Sequence, residues 1–197
     1  MSKATGGYPS DPFLRRLSSQ LVSFERWGTF RRGARPAAVA AILYQREGVW
    51  YIPFVARRPD LPDHPGQIGL PGGGVRPGEA AWEAAAREVE EEIGVPAAAL
   101  HPLGAGSPLY AAVTNYCVVP FVAWLPLEEV RFQPDQRELV GVLEVRLADL
   151  LDPHAWRQGP GPFPGPHFPV GEATIWGLTA RLLGDLLPRI SAAAPDL

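Results

Sequence analysis

Two apolar runs, RPAAVAAILYQ and VWYIPFVARR, are separated only by the polar break Arg46–Gly48. Runs rich in Val, Ile and aromatic residues across so short a break predict two strands joined as a hairpin. NYCVVPFVAWL is almost continuously apolar, which predicts a strand buried on both faces. ELVGVLEVRL predicts a further strand leading into a short helix, LADLL, and LGAGSPLYAA is weakly strand-like. Helical spacing appears three times. SDPFLRRLSSQLVSFERW sets Phe13, Leu14, Leu17, Leu21 and Val22 on one face, behind Ser10 or Asp11 as cap and Pro12 in the first turn. EAAWEAAAREVEEEIG is rich in Ala and Glu and is followed by Gly94 as terminator and by Pro96. TIWGLTARLLGDLL carries the stripe Ile175, Leu178, Leu182 and Leu186, with Trp176 on its apolar side. Between these elements lie two Pro/Gly-rich loops, Pro59 to Gly78 and Arg157 to Pro169. Long loops of the second kind are often functional.

No repeat or linker divides the chain, and its order of strands and helices predicts an α/β sandwich. The expected boundaries are an N-terminal helical extension over residues 1–33, a main domain over 34–190 and a tail over 191–197. At 197 residues and 46% hydrophobic, the chain can bury a sizeable core. A net charge of −3 gives no bulk basic surface, which argues against nucleic acid and anionic membranes as partners. No apolar stretch approaches spanning length, and the N-terminus lacks a signal-peptide core, so a cytoplasmic location is expected. Cys117, the only cysteine, sits in an apolar run and reads as core. Lys3 stands alone against seventeen arginines. That ratio looks like a GC-rich coding bias, so arginine count alone carries no function.

One stretch does not fit a purely structural reading. Arg87–Gly94 reads REVEEEIG, with Glu88, Glu90, Glu91 and Glu92 in five positions. Like charges at helical i,i+3 and i,i+4 spacing cost a few tenths of a kcal/mol per pair, and anions late in a helix oppose its dipole. Either the face is solvated at some cost, or something positive binds it. With Glu88 at 0°, Glu92 falls near 40° and Glu91 near −60°, beside an apolar stripe of Trp82, Ala85, Val89 and Ile93 at about 60° to 140°. Glu83 and Glu90 lie near 200° to 220°, away from the trio. Three oxygen ligands on one rigid edge suit a hard divalent cation, Mg²⁺ above Ca²⁺ or Zn²⁺, completed by water and substrate phosphates.

The preceding LPGGGVRPGE supplies glycines where backbone must come close to a ligand. From Gly73 to Val95 the chain then reads G-x5-E-x7-R-E-U-x-E-E-x-G-U, with U aliphatic. The fixed positions are Gly73, Glu79, Arg87, Glu88, Glu91, Glu92 and Gly94. This pattern resembles the Nudix hydrolase signature without a departure. The resemblance implies an α/β/α sandwich with a mixed sheet and a loop–helix–loop metal site. It implies Mg²⁺- or Mn²⁺-dependent attack of water on a small-molecule diphosphate, by a monomer or homodimer. Glu88, Glu91 and Glu92 would be the metal ligands, and Arg87 would position the glutamates. The general base is left open among Glu88, Glu91 and, outside the signature, Glu138.

Upstream, RRPDLPDHPGQIGLPGG is similar to the element preceding the signature in the coenzyme A pyrophosphatase branch, roughly LLTxRSx3Rx3Gx3FPGG. Arg57, Gly66 and Pro71-Gly72-Gly73 fall in register. Pro62 stands where a second arginine is expected, Leu70 replaces phenylalanine, and Val55 and Arg58 replace threonine and serine. VVPFV and IWGLTARLL also look like that branch. The resemblance implies coenzyme A or a derivative as substrate, with Arg57, Gln67, Gly72 and Gly73 binding it. His64 reads as a loop hydrogen-bonder, and the Phe163–Phe168 region as an adenine platform or a simple cover. ADP-ribose, a dinucleotide or a nucleoside triphosphate is the alternative substrate. A non-catalytic binding module on the same fold is the alternative outside catalysis.

Overall fold

The computed structural model describes residues 10–23, 32–127, 129–159 and 162–194. Parts of the expected N-terminal extension (1–9 and 24–31) and of the C-terminal tail (195–197) lie outside the described residues. Strand β1 (Arg35–Arg46) turns at Glu47-Gly48 into β2 (Val49–Arg57). Both turn residues have positive φ, 52° and 78°, the conformation of the tight hairpin turn whose twist matches its strands. Next come β3 (Ile68–Gly69), β4 (Gly72–Gly74), helix α2 (Ala81–Ile93), β5 (His101–Ala105), β6 (Leu109–Ala111), β7 (Tyr116–Trp124) and β8 (Leu139–Arg146).

These strands make one mixed sheet in the order β3-β2-β1-β7-β5. β1 runs parallel to β7 from Arg35 to Leu43 and antiparallel to its other neighbours. On that other side its pairing is divided. Residues 37–39 pair with β4 and residues 44–46 with β2, while β2 in turn carries β8. Alternate residues of β1 feed opposite cores, as strand geometry demands. Ala38, Ala40, Ile42 and Tyr44 face α2, with its Ala85, Val89 and Ile93. Ala41 and Leu43 face the other layer, built from α1 (Pro12–Gln20), α3 (Leu147–Leu151) and α4 (Gly177–Ala193). The result is an α/β/α sandwich.

Several elements depart from the sequence expectation. The first helix stops at Gln20, not beyond Val22: Leu21 is extended, and Val22 forms an isolated antiparallel bridge with Ala105 through bonds of 3.0 and 3.2 Å. The backbone of β5 outcompetes one more helical turn. The Arg157–Pro169 loop is instead largely strand. β9 (Arg157–Gly159), β10 (Gly165–Val170) and β11 (Ala173–Ile175) form a small antiparallel sheet. Its prolines obscured the alternation. The last helix begins at Gly177, so Ile175 belongs to β11 and Trp176 is the N-cap. Among the described residues, no helix is long and apolar enough to cross a membrane.

Asp11 caps α1 by accepting N–H bonds from Phe13 and Leu14 at 2.7 and 3.4 Å. Leu14 and Leu17 are fully buried, and Arg16 Nε donates to Ala193 O at 2.8 Å. The helix is thus packed into the core shared with α4. Leu14→Ala should cost about 2–5 kcal/mol, and denaturant unfolding should stay a single transition. A local transition with the main midpoint unchanged would show that α1 melts independently.

Candidate active site

Gly94, with φ 72°, ends α2, and the helix presents its carboxylates toward the glycine strand β4. That strand is glycine for steric reasons. A Cβ on Gly72 would lie 2.3 Å from Ala38 O, and one on Gly73 would lie 2.5 Å from Glu88 Cδ. Gly72, with φ 150° and β1 backbone at that distance, must be glycine, whereas a side chain at Gly73 would displace the Glu88 carboxylate. Gly72 N–H donates to Glu92 Oε2 at 2.9 Å.

Arg87 organises the remaining carboxylates. Nε donates to Glu79 Oε1 at 2.8 Å, and Nη2 donates to Glu79 Oε2 and Gly74 O, both at 3.2 Å. Nη1 donates to Glu88 Oε1 at 2.7 Å and to Glu91 Oε2 at 3.1 Å. Every N–H of the guanidinium is used, and the side chain is 18% exposed. Its hydrogen bonds hold the Glu79 carboxyl down at about 2, and the carboxylates in turn raise the pKa of Arg87. Glu79 also accepts Arg76 N–H at 2.9 Å, while Arg76 reaches Glu91 at 3.4 Å. Glu83 and Glu90 do point away from this group. They are not idle, because Glu83 bonds Ala80 N–H at the start of α2 and Glu90 bonds Ala97 N–H beyond its end.

Glu92 differs from its neighbours. It is 6% exposed, the one buried charged side chain among the described residues. Burial pushes its carboxyl up to about 8, against the Gly72 N–H bond. The charges of Glu88 and Glu138 push the same way, and Arg57 opposes them. Glu138, 46 positions along the chain, is therefore close enough to be felt. It reaches the site because β8 pairs with β2, with a register shift at Ala56/Arg57. Glu138 Oε2 lies 3.5 Å from Arg57 Nη1.

Glu92 and Arg57 open onto a cavity of about 650 Å³. His64, Gln67 and Gly72 line it as well, and His64 Nδ1 sits 3.0 Å from Gln67 Oε1. Gly73 is not on this wall; it backs Glu88. Trp176 also lines the cavity and packs 5.6 Å from Phe163, while Phe168 is core, 5.3 Å from Trp156. The sequence reading missed the far walls: Tyr110 to Thr114 from the β6–β7 turn, and Leu178, Thr179, Arg181 and Leu182 from α4. The α4 residues lie in the IWGLTARLL stretch already singled out, but nothing local shows that they and the residues before β7 face the carboxylates, because these distant segments meet only in the fold. Cys117 is buried.

Glu88, Glu91 and Glu92 offer only oxygen donors, the type a hard divalent cation takes. The Glu92 carboxyl is buried with no counter-charge in bonding contact, and β4 leaves no side chain between Glu88 and the loop. Among the described residues, no three His, Cys, Asp or Glu side chains converge on one point. Glu88 and Glu91 are held by Arg87, so a cation would compete with that guanidinium for them.

A sequence model of the NUDIX domain matches residues 34–163. An uncharacterized Nudix hydrolase NudL from Yersinia enterocolitica is 33% identical over 152 residues, covering 72% of this chain and 76% of the relative. The NudL of Yersinia pestis is 31% identical over 198 residues, covering 95% and 97%. Among solved structures, a MutT/nudix family protein from Enterococcus faecalis superposes with a TM-score of 0.56. It is 13% identical over 87% of this chain and 66% of that one. RenU, a Nudix hydrolase from M. smegmatis, gives 0.51 at 20% identity over 67% and 81%. These two share the fold.

The Glu79–Arg87 pair makes a pH prediction. The Glu79 carboxyl lies below its unfolded value of 4.5. Its contribution to stability is therefore complete above pH 4.5 and is lost as pH falls through about 2. Glu79→Gln should lower the melting temperature at neutral pH, and the gap to wild type should close between pH 4.5 and 2. A gap that stays constant across that range would exclude a charge-assisted role.

Proposed function

Because this chain belongs to the Nudix hydrolase family, we propose that it cleaves the diphosphate bond of coenzyme A or a coenzyme A derivative. The products would be 4′-phosphopantetheine and adenosine 3′,5′-bisphosphate. The observation that carries the reading is the make-up of one cavity. Its lining combines the charged Glu92 and Arg57 with a mainly apolar set that includes Trp176, Leu178, Leu182, Tyr110 and Val113. A diphosphate carrying an aromatic base and a long, mostly uncharged arm has that distribution of charge. The resemblance of the His64–Ile68 segment to the coenzyme A branch supports the same substrate. Pro62, in place of the branch's second arginine, is the feature that favours ADP-ribose, a dinucleotide or a nucleoside triphosphate instead. All signature carboxylates are present, which argues against a binding module without turnover.

Nudix hydrolases generally use Mg²⁺ or Mn²⁺. Here Glu88 and Glu92 would hold the ion with Glu91 as third ligand, and the bound ion would neutralise the diphosphate and polarise phosphorus. The chain's own residues do the rest. Gly72 N–H fixes the Glu92 carboxylate. Arg57 offers its guanidinium to a diphosphate oxygen: its Nε is buried without a hydrogen-bond partner, and an orphaned donor of this kind costs about 1–3 kcal/mol until an acceptor arrives. Gln67 and the Gly72 backbone line the same cavity and would border the anion, whereas Gly73 backs Glu88 instead. Glu138 is our choice of general base over Glu88 and Glu91, which are tied to Arg87. It would take a proton as water oxygen attacks one phosphorus in line and the bridging oxygen leaves with the other phosphate.

Glu92→Gln should abolish most turnover and weaken Mn²⁺ binding, read by calorimetry. The fold should remain intact at neutral pH, since glutamine fills the same space and its amide oxygen keeps the Gly72 N–H bond. Glu90→Gln should change turnover less than about threefold, because its Ala97 bond needs only an amide oxygen. Equal losses at positions 90 and 92 would refute the site.

A panel of diphosphates with Mg²⁺ or Mn²⁺ tests the substrate. Coenzyme A should exceed both 3′-dephospho-coenzyme A and ADP-ribose in kcat/KM by roughly ten- to a hundredfold, the worth of one charge-assisted contact. Arg57 sits beside Glu92 and Glu138, so Arg57→Ala should lower all three. Arg181, an exposed guanidinium on the cavity rim, is the group that meets a remote phosphate, so Arg181→Ala should narrow the gap. Good turnover of ADP-ribose or a nucleoside triphosphate with poor turnover of coenzyme A would overturn the substrate and leave the family standing.

A further inference from the structure

We propose that Glu138 is a placeholder for the substrate: it pairs with Arg57 in the empty enzyme and is displaced when a diphosphate takes the guanidinium. This rests on the reading of Arg57 as a diphosphate ligand, not on the identity of the group beyond the diphosphate.

Three observations carry it. The main chains around the pair are firmly fixed. Arg57 N–H donates to Gln67 O at 3.0 Å, Arg58 N–H donates to Glu138 O at 2.9 Å, and the Arg58 side chain holds Gln136 O at 3.0 Å. The side-chain pair itself is loose. Its single contact is 3.5 Å, longer than a strong charge-assisted hydrogen bond, and Glu138 is 53% exposed. Yet Arg57 is sunk further, at 26% exposed, with its Nε wholly buried and unbonded.

A carboxylate that engages one edge of a guanidinium weakly, and leaves its Nε unsatisfied, is a poor final partner. It is a good provisional one. It balances the charge of Arg57 and keeps it aimed along the cavity wall. It costs little to remove, because half-exposed ion pairs are worth about 1 kcal/mol or less. A diphosphate can offer several oxygens to the exposed end of the same guanidinium, in the fork geometry that arginine favours. The exchange also frees the Glu138 carboxylate when substrate is present, beside the point where water must lose its proton. Glu138 is thus a positioning residue for Arg57 before it is anything else, and substrate arrival and release of the carboxylate are one event.

The test uses the full chain and ADP as probe, in EDTA, so that binding is read by calorimetry without turnover. Glu138→Gln should bind ADP about three- to fivefold tighter than wild type, the exchange cost of one half-exposed pair. Arg57→Ala should bind ADP about tenfold weaker. In the Arg57→Ala background, adding Glu138→Gln should change ADP affinity by less than about twofold, because no guanidinium is left to release. With metal restored, Glu138→Gln should lower KM for the best substrate of the panel while lowering kcat. Equal tightening with and without Arg57 would overturn the exchange and leave only general repulsion of the anion. So would unchanged or weaker ADP binding in Glu138→Gln with melting temperature preserved. Failure of coenzyme A as substrate touches neither result, since ADP carries only the diphosphate half.

Discussion

The arrangement depends on Arg87. Four glutamates in the last turns of one helix repel one another, and the helix dipole opposes them. A single guanidinium answers three carboxylates and one carbonyl with all five of its N–H groups. Lysine could not do this, having three donors on a point charge and no planar fork. Because Gly74 O and Glu79 belong to the loop before α2, and Glu88 and Glu91 to its far half, the same residue ties loop to helix. The acidic edge is rigid before any cation arrives, and Arg87 stands where a cation would compete for Glu88 and Glu91.

The second constraint is the divided pairing of β1. Its first half pairs with β4 and its last residues with β2, so two strands leave one neighbour at different heights. Glycine at position 72 lets β4 run close enough to β1 to make this possible, and glycine at 73 leaves room for the Glu88 carboxylate. β2 carries Arg57 to the cavity, the start of β8 brings Glu138 against Arg57, and α4 supplies another wall. Packing of an ordinary sandwich, with α2 on one face and α4 on the other, thus fixes the relative positions of groups from five segments of the chain.

What the sequence disclosed follows the range of the interactions involved. The hairpin at Glu47-Gly48, the end of α2 at Gly94 and the grouping of Glu88, Glu91 and Glu92 are set by neighbours within a few positions. The chain order alone displays them. The end of α1 at Gln20 depends on Val22 finding Ala105, and the strands of the Arg157–Pro169 stretch depend on partners up to 10 positions away. Local propensity is overridden in both. Glu138 was legible as a candidate but not its contact with Arg57, which exists only because β8 lies beside β2. Val113 carried no signal, and Arg181 only that of the IWGLTARLL stretch it belongs to, since a cavity wall is a property of the assembled fold.

Two groups on the cavity wall are left short of partners. Glu92 is buried with one N–H bond and no bonded cation, and Arg57 Nε is buried with none. Each is a cost in the folded protein, since buried polar groups ordinarily find partners. Neither defect is local sloppiness, because the backbone around both is well bonded. They have opposite charge and face one space, so a metal–diphosphate pair would satisfy both together, cation to Glu92 and anion to Arg57. Neither component alone would. Interactions withheld from the empty fold and completed by the reactants are where binding energy can act on the reaction rather than on the resting protein. On the proposed reading, a need for both metal and diphosphate would follow from the chain's own unsatisfied groups.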